Sequence, residues 1–240
     1  MAQRFGWFPS GGNWYMPFLI IGGNGPPIAA YFVLKRADPD FTFKRFLKFS
    51  FDVKQRPVYY IFAVLTIALF FIVPALTGGL EAGTAPGLEG LNITGHIPLY
   101  ITLPGIPLFF FLGGSEEIGW RGVMQPELEK KMPFLTATLI TAFVWTVWHL
   151  PLWWMTGSTQ ADVNFWLFFI EIIGLSFVLA SVRRVSGSVI LCVLIHCATN
   201  CLQGTWPIKD DLMTKTSTAA VLVLFSLIII LCKKKLSQHK

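Results

Sequence analysis

Long apolar runs separated by short basic segments dominate this chain and restrict it to a few architectures. About 20 apolar residues are enough for a helix to cross the hydrocarbon core of a bilayer. Seven runs approach that length: Trp14 to Leu34, Val58 to Thr77, Pro98 onward past Leu112, Phe134 to Met155, Phe165 to Val182, Val189 to Leu202, and Thr218 to Cys232. Only 13% of the 240 residues are charged and 54% are hydrophobic, about half the roughly 25% charge that wets a soluble domain. Lipid offers no partner to a bare peptide group, so runs of this kind fold as helices. The expected fold is all-α: a polytopic bundle of about seven spans, forming one integral membrane domain over residues 1–240. The first run is interrupted by Gly22, Gly23, Asn24, Gly25, Pro26 and Pro27, which predicts a broken or re-entrant element.

The net charge of +6 invites a nucleic-acid reading, and the positions of the basic residues argue against it. Lys35, Arg36, Lys44, Arg45, Lys48, Lys54 and Arg56 follow the first run, and Arg121, Lys130 and Lys131 the third. Arg183 and Arg184 follow the fifth, and Lys233, Lys234, Lys235 and Lys240 the seventh. The opposite segments hold only Arg4, Lys209 and Lys215. That asymmetry is a topology signal, and it predicts an outside N-terminus and a cytoplasmic C-terminus in a bacterial-type cytoplasmic membrane. If the first run is re-entrant, the N-terminus moves inside and the later spans keep their orientation. Residues 35–56 alternate these cations with Phe41, Phe43, Phe46, Phe49 and Phe51, the composition of a segment lying in the inner interface. The expected partners are lipid and a peptide or lipidated protein, with no nucleic acid.

Polar groups inside spans are costly, so each is a functional candidate. They are Glu116, Glu117, Arg121, His149, Glu171, His196 and Asn200. If the third span is helical through Glu129 and turns at Lys130 to Pro133, Glu116 and His149 both sit ~25 Å from the turn and face each other across a hairpin. Measured from Arg183 and Arg184, Glu171 and His196 both sit at ~18 Å. Four helices would then place four groups in one slab. Arg121 is four residues after Glu117, about 40° round the helix, and five after Glu116, about 140° round. Glu117 is therefore the natural ion-pair partner, which leaves Glu116 free to accept and return protons. His196 and Asn200, four apart, share a face, where one can bind a metal or an oxyanion while the other donates its amide hydrogens. Pro151 and Pro126 cannot donate backbone hydrogen bonds, and the bends they impose would open a watered cavity.

These residues resemble a known group. Glu116-Glu117-Ile118-Gly119-Trp120-Arg121 is similar to the EExxxR motif, and His196-Cys197-Ala198-Thr199-Asn200 to the HxxxN motif, of the CPBP intramembrane proteases, which include CAAX prenyl endopeptidases and bacteriocin-processing or Abi proteins. Trp145-Thr146-Val147-Trp148-His149 resembles their FxxxH motif, with Trp145 where the family usually has Phe. The resemblance covers residues 108–203 as a catalytic core. It implies an endopeptidase that cuts within the bilayer, with Glu116 and His149 activating water and His196 with Asn200 stabilising the oxyanion. Glu117 belongs to the same catalytic set, and Arg121, Trp145 and Glu171 support it. Glu116, His149 and His196 would suffice as the three protein ligands of a catalytic zinc, and a metal-free glutamate base would use the same residues. Glu171 lies outside the motifs; it either orients a histidine or is satisfied by a neighbouring helix.

Other residues receive plainer readings. Cys192, Cys197, Cys201 and Cys232 fall in apolar runs and read as small packing residues. His96 and His239 read as solvated, and Trp153 and Trp154 as interface anchors. Asn92-Ile93-Thr94 matches a glycosylation sequon that matters only in a eukaryotic secretory route. No cleavable signal peptide is expected at an N-terminus that runs from Arg4 into Gly and Pro. Two other function classes remain open: a bacteriocin-immunity or scaffold protein that binds a peptide without cutting it, and a proton-coupled transporter.

Overall fold

The computed structural model describes residues 16–81, 103–155 and 158–238. The start of the first apolar run, the sequon, His96, residues 98–102 of the third run, and His239 lie outside these residues. Ten α-helices are described: α1 (Met16–Gly23), α2 (Gly25–Ala37), α3 (Phe43–Ser50), α4 (Pro57–Thr77), α5 (Glu116–Gly119), α6 (Gln125–Glu129), α7 (Phe134–Trp148), α8 (Phe165–Ser186), α9 (Ile190–Thr205) and α10 (Leu212–Gln238).

Four helical stretches are long and apolar enough to cross a membrane: Pro57–Thr77, Phe134–Trp154, Phe165–Ser186 and Leu212–Cys232. Seven spanning helices are therefore not what the described residues show, and the remaining apolar runs each depart for a local reason. In the first run the chain breaks at Asn24, whose own side chain donates to the Ile20 carbonyl at 2.7 Å, giving α1 and α2 in place of one helix. The third run is a 3₁₀ segment (Leu103–Phe110), then turns, then the short α5, a π-helical segment (Trp120–Met124) and α6. The sixth run, α9, is only 16 residues long, about 24 Å at the α-helical rise.

The π segment has an identifiable cause. Gln125 N–H reaches back five residues to the Trp120 carbonyl, and the next residue, Pro126, has no N–H with which to continue the ladder. The Arg121 carbonyl instead accepts a hydrogen bond from Arg183 Nε at 3.0 Å. Beyond α6 the chain turns and α7 begins at Phe134, so the expected hairpin forms. It is held by Gln125, which donates to Thr138 at 3.1 Å. Helix α7 stops at Trp148, three residues before Pro151, and continues as a 3₁₀ turn (Leu150–Trp154).

Exposure along the helices shows which faces meet lipid. On α7, Leu135, Leu139, Phe143 and Val147 recur every four residues and are all exposed, one continuous apolar stripe. On α4 the equivalent stripe is Ile61, Val64, Leu65, Ile72 and Leu76. Helix α9 is different, because only Leu194 of its large apolar residues is exposed. It lies between two apolar clusters. Leu191, Ile195 and Leu202 pack with Phe62, Phe70, Val178, Leu179, Leu222 and Ile229 of α4, α8 and α10. Ile190, Val193 and Cys197 pack with Ala30, Phe46 and Ile118 of α2, α3 and α5.

Helix α8 ends at Gly187, whose φ of 73° suits glycine, and its last turn carries Arg183 and Arg184 at the negative end of the helix dipole. Its crossing with α10 depends on a second glycine. A Cβ at Gly174 would lie 2.7 Å from the backbone Cα of Ala219. Alanine is the better helix former by about 1 kcal/mol, whereas forcing a methyl group into a closed contact costs about 1–3 kcal/mol. Gly174→Ala is therefore expected to destabilise the protein, and Gly22→Ala, with nothing within 4 Å of its new Cβ, to leave stability unchanged or raise it. Thermal unfolding of the two variants in detergent would check the opposite signs.

Candidate active site

The polar side chains of the apolar runs meet where α5, α7, α8 and α9 converge. Arg121 and Glu117 have no solvent exposure. One guanidinium nitrogen donates to Glu117 Oε1 at 3.0 Å and the other terminal nitrogen to Ser176 Oγ of α8 at 2.8 Å. Its plane lies over the Trp145 ring, 4.5 Å from the centroid, a cation–π contact that suits a desolvated arginine. The pairing expected from the four-residue spacing is thus present.

Glu117 Oε1 has a second partner: His196 Nδ1 lies 3.0 Å away. A carboxylate only accepts, so this ring nitrogen carries the proton, and Nε2 points away from Glu117. That nitrogen borders Gly113. A Cβ built on Gly113 would meet His196 Nε2 at 3.2 Å and Asn200 Nδ2 at 3.1 Å. Gly113 has a φ of 132°, a conformation reserved for glycine, and a side chain there would fill the space in front of both groups. His196 and Asn200 therefore do share a face.

Glu116 is held differently from its neighbour. Its Oε2 accepts hydrogen bonds from two indoles, Trp120 Nε1 at 3.1 Å and Trp145 Nε1 at 2.9 Å. Its Oε1 lies 3.8 Å from the position a Cβ would take on Gly23, and that same position is 3.7 Å from Gly113 N. Glu116 Oε1, His196 Nε2 and Asn200 Nδ2 thus border one pair of glycines, Gly23 and Gly113. No ion pair with a lysine or arginine involves Glu116 among the described residues. The sequence did not anticipate the two indole donors. The signal was present for Trp120, which stands four residues after Glu116.

His149 sits at the end of α7, half-buried, with Nδ1 2.8 Å from the Trp145 carbonyl. That nitrogen is the donor, which leaves Nε2 as an acceptor. Its ring lies 6.2 Å from that of Trp145 and 5.3 Å from that of Phe168. Glu116 and His149 do not hydrogen-bond each other directly, because Trp145 stands between them and touches both. The same tryptophan meets the His196 ring edge-on at 5.2 Å. An indole reaches where phenylalanine could not, since its N–H adds a donor to the packing surface.

Glu171 does not orient a histidine. Its carboxylate accepts from Gln203 Nε2 of α9 at 2.9 Å and pairs with Lys215 of α10. Glu171 and Lys215 are 7% and 6% exposed, so each supplies the opposite charge the other needs in a dry setting. Lys215, read from sequence as part of an outer segment, is in fact part of the bundle.

Among the described residues no group of three or more His, Cys, Asp and Glu side chains is placed to hold a metal ion.

Residues 98–202, which contain all three motifs, match the family described as type II CAAX prenyl endopeptidase Rce1-like. A curated protein named CAAX prenyl protease 2, from Methanococcus maripaludis, is 28% identical over 145 residues, covering 56% of this chain and 53% of that protein. The match spans about half the length of that curated relative. The likeness to the Rce1-like CAAX prenyl endopeptidase family thus rests on residues 98–202, less than half of the chain.

Proposed function

We propose that this chain is an intramembrane endopeptidase that hydrolyses a peptide bond in a membrane-delivered peptide. The observation that carries the reading is the convergence of Glu116 Oε1, His196 Nε2 and Asn200 Nδ2 on the backbone of Gly23 and Gly113. A peptide carbonyl placed there would have a carboxylate on one side and two nitrogen groups on the other. Glu116 takes a proton from water as the hydroxyl attacks the carbonyl carbon, and the two indoles fix the carboxylate for that transfer. Asn200 donates to the oxyanion. His196 joins it when Nε2 also carries a proton, a state that Glu117 supports by accepting from Nδ1. Arg121 holds Glu117 in place. His149 Nε2, an acceptor, is suited to take that proton from Glu116 by way of water and pass it to the leaving amine as the C–N bond breaks, which returns Glu116 to a carboxylate. No step in this scheme requires a metal.

The family and the relative's name support a prenylated CAAX-type tail as the first substrate to try, with leader-containing peptides as the second. The distribution of lysine and arginine supports a cytoplasmic C-terminus.

The test is incubation of the purified protein in lipid nanodiscs with lipidated and leader peptides, with and without chelator, read by mass spectrometry. Cleavage that persists in chelator fits the scheme. Glu116→Gln is expected to lower kcat by about 10²–10⁴-fold, and Asn200→Ala by about 10²–10³-fold with a smaller change in KM. Full cleavage by Glu116→Gln would overturn the assignment. Trp145→Phe keeps the ring packing and removes one donor to Glu116 Oε2. A hydrogen bond to a charged group contributes about 1.5–3 kcal/mol, so single-turnover cleavage should slow by about tenfold or more.

A further inference from the structure

Beside the candidate active site, α2, α3 and the turn before α5 enclose a groove of about 350 Å³, within the ~300–1,000 Å³ range of small-molecule sites. Its lining is almost wholly apolar, with Ile28 and Tyr31 from α2, Phe43, Phe46 and Leu47 from α3, and Phe110 beyond them. None of these residues has a role in the proposed hydrolysis. Phe43, Leu47 and Ile28 are exposed, and Phe46 forms the buried floor. Tyr31 meets Phe43 and Phe46 edge-on at 5.8 and 5.4 Å, which gives the groove a rigid aromatic wall.

The two helices that line it also carry cations. Helix geometry puts Lys35 on the stripe of Ile28 and Tyr31, one turn further along α2. Lys44 and Lys48, one turn apart on α3, flank the edge that bears Leu47. Thr42 caps this short helix by accepting from Arg45 N at 3.2 Å, which fixes the orientation of its lysines. Three acidic residues share the segment. Asp38 is paired with Arg45 at 2.8 Å. Asp38 and Asp52 also accept from the backbone N–H groups of Asp40 and Lys54 respectively, and Asp40 is the third. Seven cations against three anions leave residues 35–56 strongly positive. Lys35 donates to the Pro39 carbonyl and is in no ion pair among the described residues. Lys44 and Lys48 are exposed and have no ion-pair partner among the described residues.

An apolar slot between two helices that also carry exposed lysines is complementary to one kind of molecule, with a hydrocarbon chain at one end and a phosphate at the other. We propose that the α2–α3 groove is a binding site for an anionic phospholipid, its acyl chain along Phe46 and Tyr31 and its phosphate on Lys35, Lys44 and Lys48. A zwitterionic lipid offers the same chain and gains less from the cationic rim. The proposal does not depend on the peptidase reading, because binding is measurable without any cleavage.

The full chain is reconstituted in nanodiscs containing a trace of phosphatidylglycerol with a photoreactive acyl chain, and the labelled peptides are mapped by mass spectrometry. Labelling is expected within residues 28–47 and should be competed at least fivefold better by unlabelled phosphatidylglycerol than by phosphatidylcholine. Lys44→Gln with Lys48→Gln, both on exposed positions, should reduce that ratio to near one without loss of folded protein. Ile28→Trp, also at an exposed position, should abolish labelling by filling the groove. Equal competition by the two lipids in the unmodified protein would overturn the proposal. So would competition by a lipidated peptide but not by phosphatidylglycerol, which would assign the groove to substrate.

Discussion

A buried guanidinium must have its charge answered, and the centre of this protein is arranged around that requirement at Arg121, whose two terminal nitrogens are hydrogen-bonded while Nε has no partner among the described residues. Glu117 supplies the charge, Ser176 a further acceptor, and the Trp145 ring the face on which the cation rests. Removing one partner of such a pair leaves the other as an uncompensated charge in a dry setting, at a cost of about 3–5 kcal/mol. The arrangement has a geometric result as well. Arg121 belongs to the π segment, Ser176 to α8 and Trp145 to α7, so a single side chain fixes three elements in register. Glu117, held on one oxygen by Arg121, presents that same oxygen to His196. The orientation of the imidazole is thus inherited from the ion pair.

The second organising feature is α9. A helix enclosed on nearly all sides is expected to be apolar, and this one carries His196, Asn200 and Gln203 with their polar ends directed to specific partners. Two apolar clusters meet along it, one with α4, α8 and α10, the other with α2, α3 and α5. The polar groups lie at the junction. Gln203 reaches the Glu171–Lys215 pair on one side, while His196 and Asn200 face Gly113 on the other.

How much of this was legible in the sequence follows from which signals are local. The Glu117–Arg121 pair and the shared face of His196 and Asn200 were readable, because a four-residue spacing on a helix sets both. The distinct surroundings of Glu116 were readable from the same rotation. The indole pair on Glu116 was not, since Trp145 arrives from a helix 29 residues away, and a tryptophan in an apolar run looks like packing. The partner of Glu171 was missed because Lys215 follows a polar stretch, and hydropathy alone assigned it to a loop. The third run failed as a single span for a related reason: composition records how much lipid a segment tolerates, while the π segment there is set by Pro126 and by the contact with Arg183.

The broken first helix has a wider consequence. Asn24 donates to the Phe111 carbonyl and accepts from Ser115, and Gly119 lies so close to Pro26 that a Cβ would fall 2.5 Å from the proline ring. Gly23 forms one wall of the space facing Glu116. All of these first-helix residues precede residues 98–202, the part of the chain that matches the family model. The portion most easily traced by descent is therefore an incomplete vessel, and a transplanted cassette of those residues alone would leave its chamber open on one side.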